Sequence, residues 1–244
     1  MERSAVIIVA GGSGRRMGAS LPKQFLFLGN EPVLVRTVRA FAEALPGAEL
    51  VVVLPEAHIA YWRDLAARFD VPRHTAVAGG SERFDSVRRG LEAVSDEAEL
   101  IAVHDGVRPL ASRELILRTF AAARKEGAAV PAVAPADSVR TVDGDASHPL
   151  DRSRLRLVQT PQVFRADLLR RAYAADFSPA FTDDASVVEA AGHTVALCEG
   201  DRRNLKITAP EDLLCAEALL HGADETGEAE KAEKADGPDR PDEA

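Results

Sequence analysis

Cysteine is scarce: Cys198 and Cys215 are the only two in 244 residues. They cannot form a disulfide framework and match no metal-ligand spacing. Reduced thiols in a cytoplasmic protein are the expected reading. Long apolar runs are missing as well, and none approaches the roughly 18 residues that a membrane-spanning helix requires. The start, Met1-Glu2-Arg3-Ser4, lacks a basic leader and a cleavable small-residue site, so no secretory signal is expected. The six histidines show no paired spacing, which leaves zinc chemistry without support. No Gly-x-Ser-x-Gly elbow occurs, which argues against a serine hydrolase. No internal repeat is found.

An excess of positive charge is absent too. The formal charge is −9, from 39 acids and 30 bases. Nine of those acids and three of those bases lie in 222–244, which leaves 30 and 27 for residues 1–221. The folded part is therefore nearly balanced, and nothing in it resembles the basic field of a nucleic-acid binder. The tail 222–244 has no large apolar residue and cannot offset its chain entropy, so it is predicted to be a disordered, solubilising acidic tail.

What is present is an ordinary globular mixture, 46% apolar and 28% charged. Residues 4–9 read as a buried strand followed at once by glycines. Apolar residues at Val33, Leu34, Val38, Phe41 and Leu45 carry helical spacing over 32–45. Strands are predicted at 50–54, 75–78, 100–103 and 128–133, with helices at 57–69, 82–94 and 113–126. This alternation indicates an α/β fold with a doubly wound, mostly parallel, Rossmann-like sheet. The rhythm breaks over 135–154, about twenty residues rich in Pro, Gly, Asp, Ser and Arg. That stretch is expected to project as a hairpin arm or to act as a lid. Regular structure resumes at 156–164, with helices at 166–175, 183–191 and 210–221 and a strand at 194–198.

Three loops carry the chemistry. Ala10-Gly11-Gly12-Ser13-Gly14-Arg15-Arg16-Met17-Gly18 follows the first strand, where a doubly wound sheet cradles phosphates. Glycines let backbone N–H groups approach an anion. A P-loop would need Gly-Lys-Ser/Thr here, and the dinucleotide fingerprint would need glycine where Met17 stands. Both fail. Arg15, Arg16 and Lys23, within nine positions, suit a triphosphate. A second loop, Gly79 to Val87, opens the 82–94 helix with Ser81 as its expected N-cap, and could hold a base or ribose. The third, His104-Asp105-Gly106-Val107-Arg108-Pro109, ends a buried strand. Its single carboxylate, Asp105, fits Mg²⁺, which shares phosphate oxygens with one or two acids. His104 is expected to cap or pack.

In this order the blocks resemble the cytidylyltransferases of the isoprenoid pathway. The matching stretches are Ala10–Gly18, Pro22–Leu26, Gly79–Val87, His104–Pro109, Leu150–Arg152, Val158–Phe164, Thr182–Ser186 and Asn204–Thr208. They span everything but the tail. The resemblance implies a nucleotidyltransferase domain over 1–221, transferring CMP from CTP to 2-C-methyl-D-erythritol 4-phosphate in non-mevalonate isoprenoid precursor synthesis. It implies Mg²⁺ or another divalent metal on Asp105. It assigns catalysis to Arg16, Lys23, Arg152 and Lys206, and nucleotide binding to Ala10, Gly11, Gly12, Ser13, Gly14, Arg15, Gly80, Arg83 and Ser86. Arg108, Ser138, Thr160 and Thr182 would contact the acceptor. It also implies a cytoplasmic homodimer with exchanged arms at 135–154, and no nucleic-acid or membrane partner.

The alternative is a ribitol-5-phosphate cytidylyltransferase, which shares the first loop and Pro-Lys-Gln-Phe. Gly11 looks like that branch, and Gly106-Val107 departs from the commoner Ala-Ala or Ala-Val. Thr182–Ser186 and Leu150–Arg152 look like the erythritol-phosphate branch. An NDP-sugar-forming enzyme fits the Pro-Lys-Gln-Phe and Thr-Pro-Gln blocks less well. A non-catalytic nucleotide-binding regulator would be favoured by loss of the cations or of Asp105, and all are present.

Overall fold

The computed structural model describes residues 3–12 and 21–235, with side chains as far as Gly222. The first strand, β1 (Ser4–Val9), pairs parallel with β4 (Glu49–Leu54) and with β6 (Leu100–Asp105). Between β1 and β4 come a 3-10 turn at Lys23–Phe25, the two-residue strands β2 (Phe27–Leu28) and β3 (Glu31–Pro32), and helix α1 (Val33–Ala44). Helix α2 (Glu56–Arg68), β5 (Thr75–Ala78) and α3 (Arg83–Glu92) lead into β6. Then follow α4 (Arg113–Glu126) and β7 (Ala128–Val133).

The arm is a two-stranded hairpin, β8 (Val139–Asp143) with β9 (Ala146–Leu150). The chain returns through β10 (Leu157–Val158) and β11 (Gln162–Arg165), on either side of the cis Thr160–Pro161 bond. Helices α5 (Ala166–Ala172) and α6 (Asp184–Ala190), strand β12 (Ala196–Glu199) and helix α7 (Pro210–Ala235) complete it.

The main sheet runs β10-β7-β11-β6-β1-β4-β5, with β12 also on β7. It is mixed and mostly parallel. β11 is antiparallel to both of its neighbours, β6 and β7, and β10 is antiparallel to β7. Alternation along β1 explains the two core layers. Val6 and Ile8 face α1, α2 and α4 through Leu34, Phe41, Trp62 and Ile116. Ala5 and Ile7 face α3 and α5 through Phe84, Val87 and Leu169. A third cluster joins Leu28, Val33 and Val107 to Ile207 and Ala216 of the C-terminal segment.

Two expectations change. Helix α3 begins at Arg83 with Glu82 as its N-cap, while the Ser81 hydroxyl lies 3.1 Å from the Asp85 carboxylate. Helix α5 stops at Ala172 rather than 175. Helix α7 runs on past 222 to Ala235. The Ala, Glu and Lys residues of that stretch are strong helix formers. Residues 236–244 lie outside the described ones. No helix among the described residues is long and apolar enough to cross a membrane.

Candidate active site

The carboxyl ends of β1 and β6 open into a cleft of about 280 Å³. Ala10, Gly11 and Gly12 continue β1 along one wall, and Gly80, Arg83 and Ser86 come from the β5–α3 loop and the start of α3. Lys23, Glu82, Asp105 and Lys206 complete the charged lining among the described residues. Ligands bind at this place in open α/β sheets.

Local packing explains how each wall forms. Ala10 N–H donates to Val53 C=O at 2.8 Å, so the loop leaves the sheet in register with β4. Gln24, fully buried, donates its amide to Ala10 C=O at 2.9 Å and ties the Lys23 turn to the loop. A Cβ placed on Gly12 would touch Lys23 Cε at 3.6 Å, so the lysine stem lies across the glycines. Gly80 N–H donates to Ser86 Oγ at 3.1 Å, and Ser86 Oγ donates to Glu82 C=O at 3.1 Å. A Cβ on Gly80 would collide with Asp85, which is why glycine stands there.

Asp105 is the electrostatic centre. Its Oδ2 accepts from Lys206 Nζ at 3.0 Å and from Arg108 Nε at 3.1 Å. Burial opposes its ionisation, yet Lys206 first, then Arg83 and Arg108, hold the carboxyl below the usual carboxylate range. Behind it, burial pushes His104 down to about 4, against the opposing pull of Asp105. The imidazole is therefore neutral at physiological pH. Its Nε2 faces the Arg108 carbonyl at 3.2 Å, an acceptor only, so Nε2 carries the proton. Thr160 Oγ1, 3.0 Å from Nδ1, then donates to it and accepts Asp105 N–H at 3.1 Å.

Arg83 is held in a second buried unit. Asp184, fully buried at the start of α6, accepts two of its N–H groups at 3.0 and 2.6 Å and the Tyr173 hydroxyl at 2.6 Å. Burial disfavours the guanidinium charge, but Asp184 outweighs it and the group stays cationic. Phe84 and Phe181 stack beside Tyr173, closing the unit on its apolar side.

Of the residues expected from sequence, the structure brings Ala10, Gly11, Gly12, Lys23, Gly80, Arg83, Ser86, Asp105 and Lys206 to one cleft. Ser13, Gly14, Arg15 and Arg16 lie outside the described residues. Arg108 and Thr160 are in contact with the site through Asp105 rather than lining the cleft. Ser138 and Arg152 lie on the exposed arm, where the Arg152 guanidinium donates to Ala136 C=O at 2.7 Å. Thr182 is exposed just before α6. None of these three lines the cleft. Sequence reasoning missed Asp184, the buried partner of Arg83, and Tyr173, which donates to the same carboxylate. The signal available was Asp183-Asp184 ahead of an apolar helix, which reads simply as a cap. Asp183 is that cap, accepting Ser186 N–H at 2.9 Å.

An ionised carboxylate ringed by cations, beside a glycine turn at the carboxyl ends of parallel strands, defines an α/β enzyme that handles nucleotide phosphates. The family model described as "IspD: 2-C-methyl-D-erythritol 4-phosphate cytidylyltransferase" matches residues 4–222. The chain belongs to this family. It is 47% identical over 216 residues to the 2-C-methyl-D-erythritol 4-phosphate cytidylyltransferase of Phocaeicola vulgatus, covering 88% of this chain and 98% of that one. The Bacteroides fragilis enzyme of the same name is 48% identical at the same coverage. Among solved structures, 4-diphosphocytidyl-2C-methyl-D-erythritol synthase from Anaerococcus prevotii superposes with a TM-score of 0.77 at 31% identity, over 90% of this chain and 99% of its own. The cytidylyltransferase of Thermus thermophilus gives 0.73 at 37% identity, over 91% and 100%.

Proposed function

We propose that this chain transfers CMP from CTP to 2-C-methyl-D-erythritol 4-phosphate, giving 4-diphosphocytidyl-2-C-methyl-D-erythritol and pyrophosphate in isoprenoid precursor synthesis. The observation that carries the reading is Asp105 set between Lys206 and Arg108 on the wall of a glycine-lined cleft, in a chain of this family.

A phosphate oxygen of the acceptor attacks the α-phosphorus of CTP, a new P–O bond forms, and the bond to the β-phosphate oxygen breaks. The nucleophile is already anionic, so no general base is required. The barrier is anion meeting anion, and the protein lowers it by positioning and by fixed positive charge. Lys23, lying over Gly12, stabilises charge on the triphosphate together with Arg16. Ala10, Gly11, Gly12, Ser13, Gly14 and Arg15 cradle the phosphates. Gly80, Arg83 and Ser86 hold the cytidine side. Lys206, Arg108, Thr160 and Thr182 receive the methylerythritol phosphate, with Arg152 and Ser138 reaching it from the arm.

The donor set suits a magnesium ion that arrives on the triphosphate. Asp105 is a single ionised carboxylate, and no cluster of three metal-ligating side chains exists among the described residues. Mg²⁺ needs only one or two carboxylates when phosphates and water supply the rest. Asp105 would hold it, and the ion would neutralise phosphate oxygens.

The arm supports a homodimer with exchanged arms. Val142 is 76% exposed, and an isolated two-stranded hairpin is marginal in water. The unpaired Cys198 and Cys215 fit a cytoplasmic setting. One assay tests the reaction: pyrophosphate release from CTP with methylerythritol phosphate, with ribitol 5-phosphate in parallel and with excess EDTA as a control. The reading requires release with the erythritol acceptor, its loss in EDTA, and little release with ribitol 5-phosphate.

A further inference from the structure

We infer that His104 is a positioning residue for this transfer, gripping from behind the turn that presents Asp105 and Arg108 to the phosphates. The inference rests on the reaction proposed above.

Alternation along β6 sends Asp105 to the cleft, while His104, fully buried, turns into the core and packs edge-on against Phe41 at 4.7 Å. A residue needed only to fill that space could be Phe or Leu. His104 instead spends both ring nitrogens on the site. Nε2–H donates to the Arg108 carbonyl, and Nδ1 accepts from Thr160. Thr160 Oγ1 in turn accepts Asp105 N–H. Arg108 closes the circuit, its N–H on Asp105 C=O at 3.1 Å and its Nε on Asp105 Oδ2 at 3.1 Å.

Every link in this ring has one donor and one acceptor, so the protons have no alternative arrangement. A strut ties it to the third charge: Asn204 donates to Thr160 C=O at 2.8 Å and accepts from Arg108 Nη1 at 2.8 Å, two residues before Lys206. Cutting the ring at His104 therefore frees Arg108 and Asp105 to move without removing either charge. Polar networks of this kind act as units, and each buried bond contributes to geometry beyond its own energy.

The test uses the full-length chain, with CTP and methylerythritol phosphate as substrates. His104→Phe keeps the ring volume and the Phe41 contact and deletes both hydrogen bonds. We expect it to raise KM for methylerythritol phosphate by about tenfold, the scale of one lost hydrogen bond to a placed charge, with a smaller change in KM for CTP. His104→Gln, which retains an N–H for the Arg108 carbonyl, should recover part of that loss. A merely structural role would lower the yield of folded enzyme and hence kcat, leaving both KM values alone.

Should His104→Phe fail to fold, Thr160→Val cuts the same ring from its other side while keeping the β-branched shape. It should raise the same KM, and adding His104→Gln should cost less than the product of the single effects. Unchanged KM values, or effects that simply multiply, would overturn the inference. Failure of the wild-type chain to release pyrophosphate would instead overturn the reaction itself.

Discussion

Asp105, Asp184 and His104 are buried, with partners at 2.6–3.2 Å, whereas the whole of β9 and most of β8 lie exposed to solvent. Both regions carry arginines, yet Arg83 and Arg108 are fixed by carboxylates of this chain, while Arg152 on the arm donates to a backbone carbonyl. The cleft contains what it needs to hold its shape. The arm displays the apolar Val142 and Leu150, 76% and 41% exposed. Charge fixed in a buried setting can act on a substrate without reorganising, and charge on a bare hairpin gains that property only when something packs against it.

The largest effect is expected at Lys23. Lys23→Ala should lower kcat by about 100- to 1,000-fold, as loss of one preorganised electrostatic donor does. Steady-state kinetics check it, and a change confined to KM for CTP would make Lys23 a binding residue alone.

Mixing subunits sharpens the comparison from the side of the arm. Lys23→Ala and Arg152→Ala chains, each inactive alone, are dissociated and reassembled together. If Arg152 serves the neighbouring subunit's cleft, each mixed dimer holds one intact site. Roughly a quarter of all sites should then recover under random pairing in a closed two-fold dimer. No recovery in a mixture containing mixed dimers would place each arm on its own subunit's cleft.

A smaller effect is expected on stability. Asp184→Ala leaves the Arg83 guanidinium and the Tyr173 hydroxyl without their buried acceptor, at a cost of about 3 kcal/mol. For a chain of this size the melting temperature should drop by roughly 6–12 °C, measurable by thermal denaturation. The smallest effect belongs to the tail. Deleting Gly222–Ala244 should leave Tm and kcat almost unchanged, because that stretch carries no large apolar residue to pack. A drop of several degrees would show that the rest of the helix packs as well.

Much of the sheet was legible because parallel strands buried on both faces read as unbroken apolar runs, as in Ala5–Ile8 and Val51–Leu54. Helices announced themselves by period; the ends of α4, where Ser112 accepts Leu115 N–H and Gly127 stands at φ 88°, came from the structure. The loops around Lys23, Gly80 and Asp105 were legible because glycine and charge sit at strand ends, where the fold type concentrates binding. Other features depend on distance along the chain. Arg83 and Asp184 stand 101 residues apart, and no local spacing rule pairs them. The antiparallel insertion of β11 was hidden for the same reason, since Gln162–Arg165 carries no mark of the strands it will separate.

That insertion bears on how the chain acquires its structure during synthesis. β6 and β7 follow one another in sequence but never pair, because the slot between them belongs to β11. When β7 leaves the ribosome, the inner edge of β6, ending at Asp105, still exposes its hydrogen-bonding groups, and it stays open until Gln162–Arg165 has emerged as well. The arm is therefore translated while the sheet is still incomplete. A nascent edge left waiting in this way is a template for wrong pairings. The edge of β6 is therefore exposed to wrong pairing while the segment from Ala134 to Arg165 emerges.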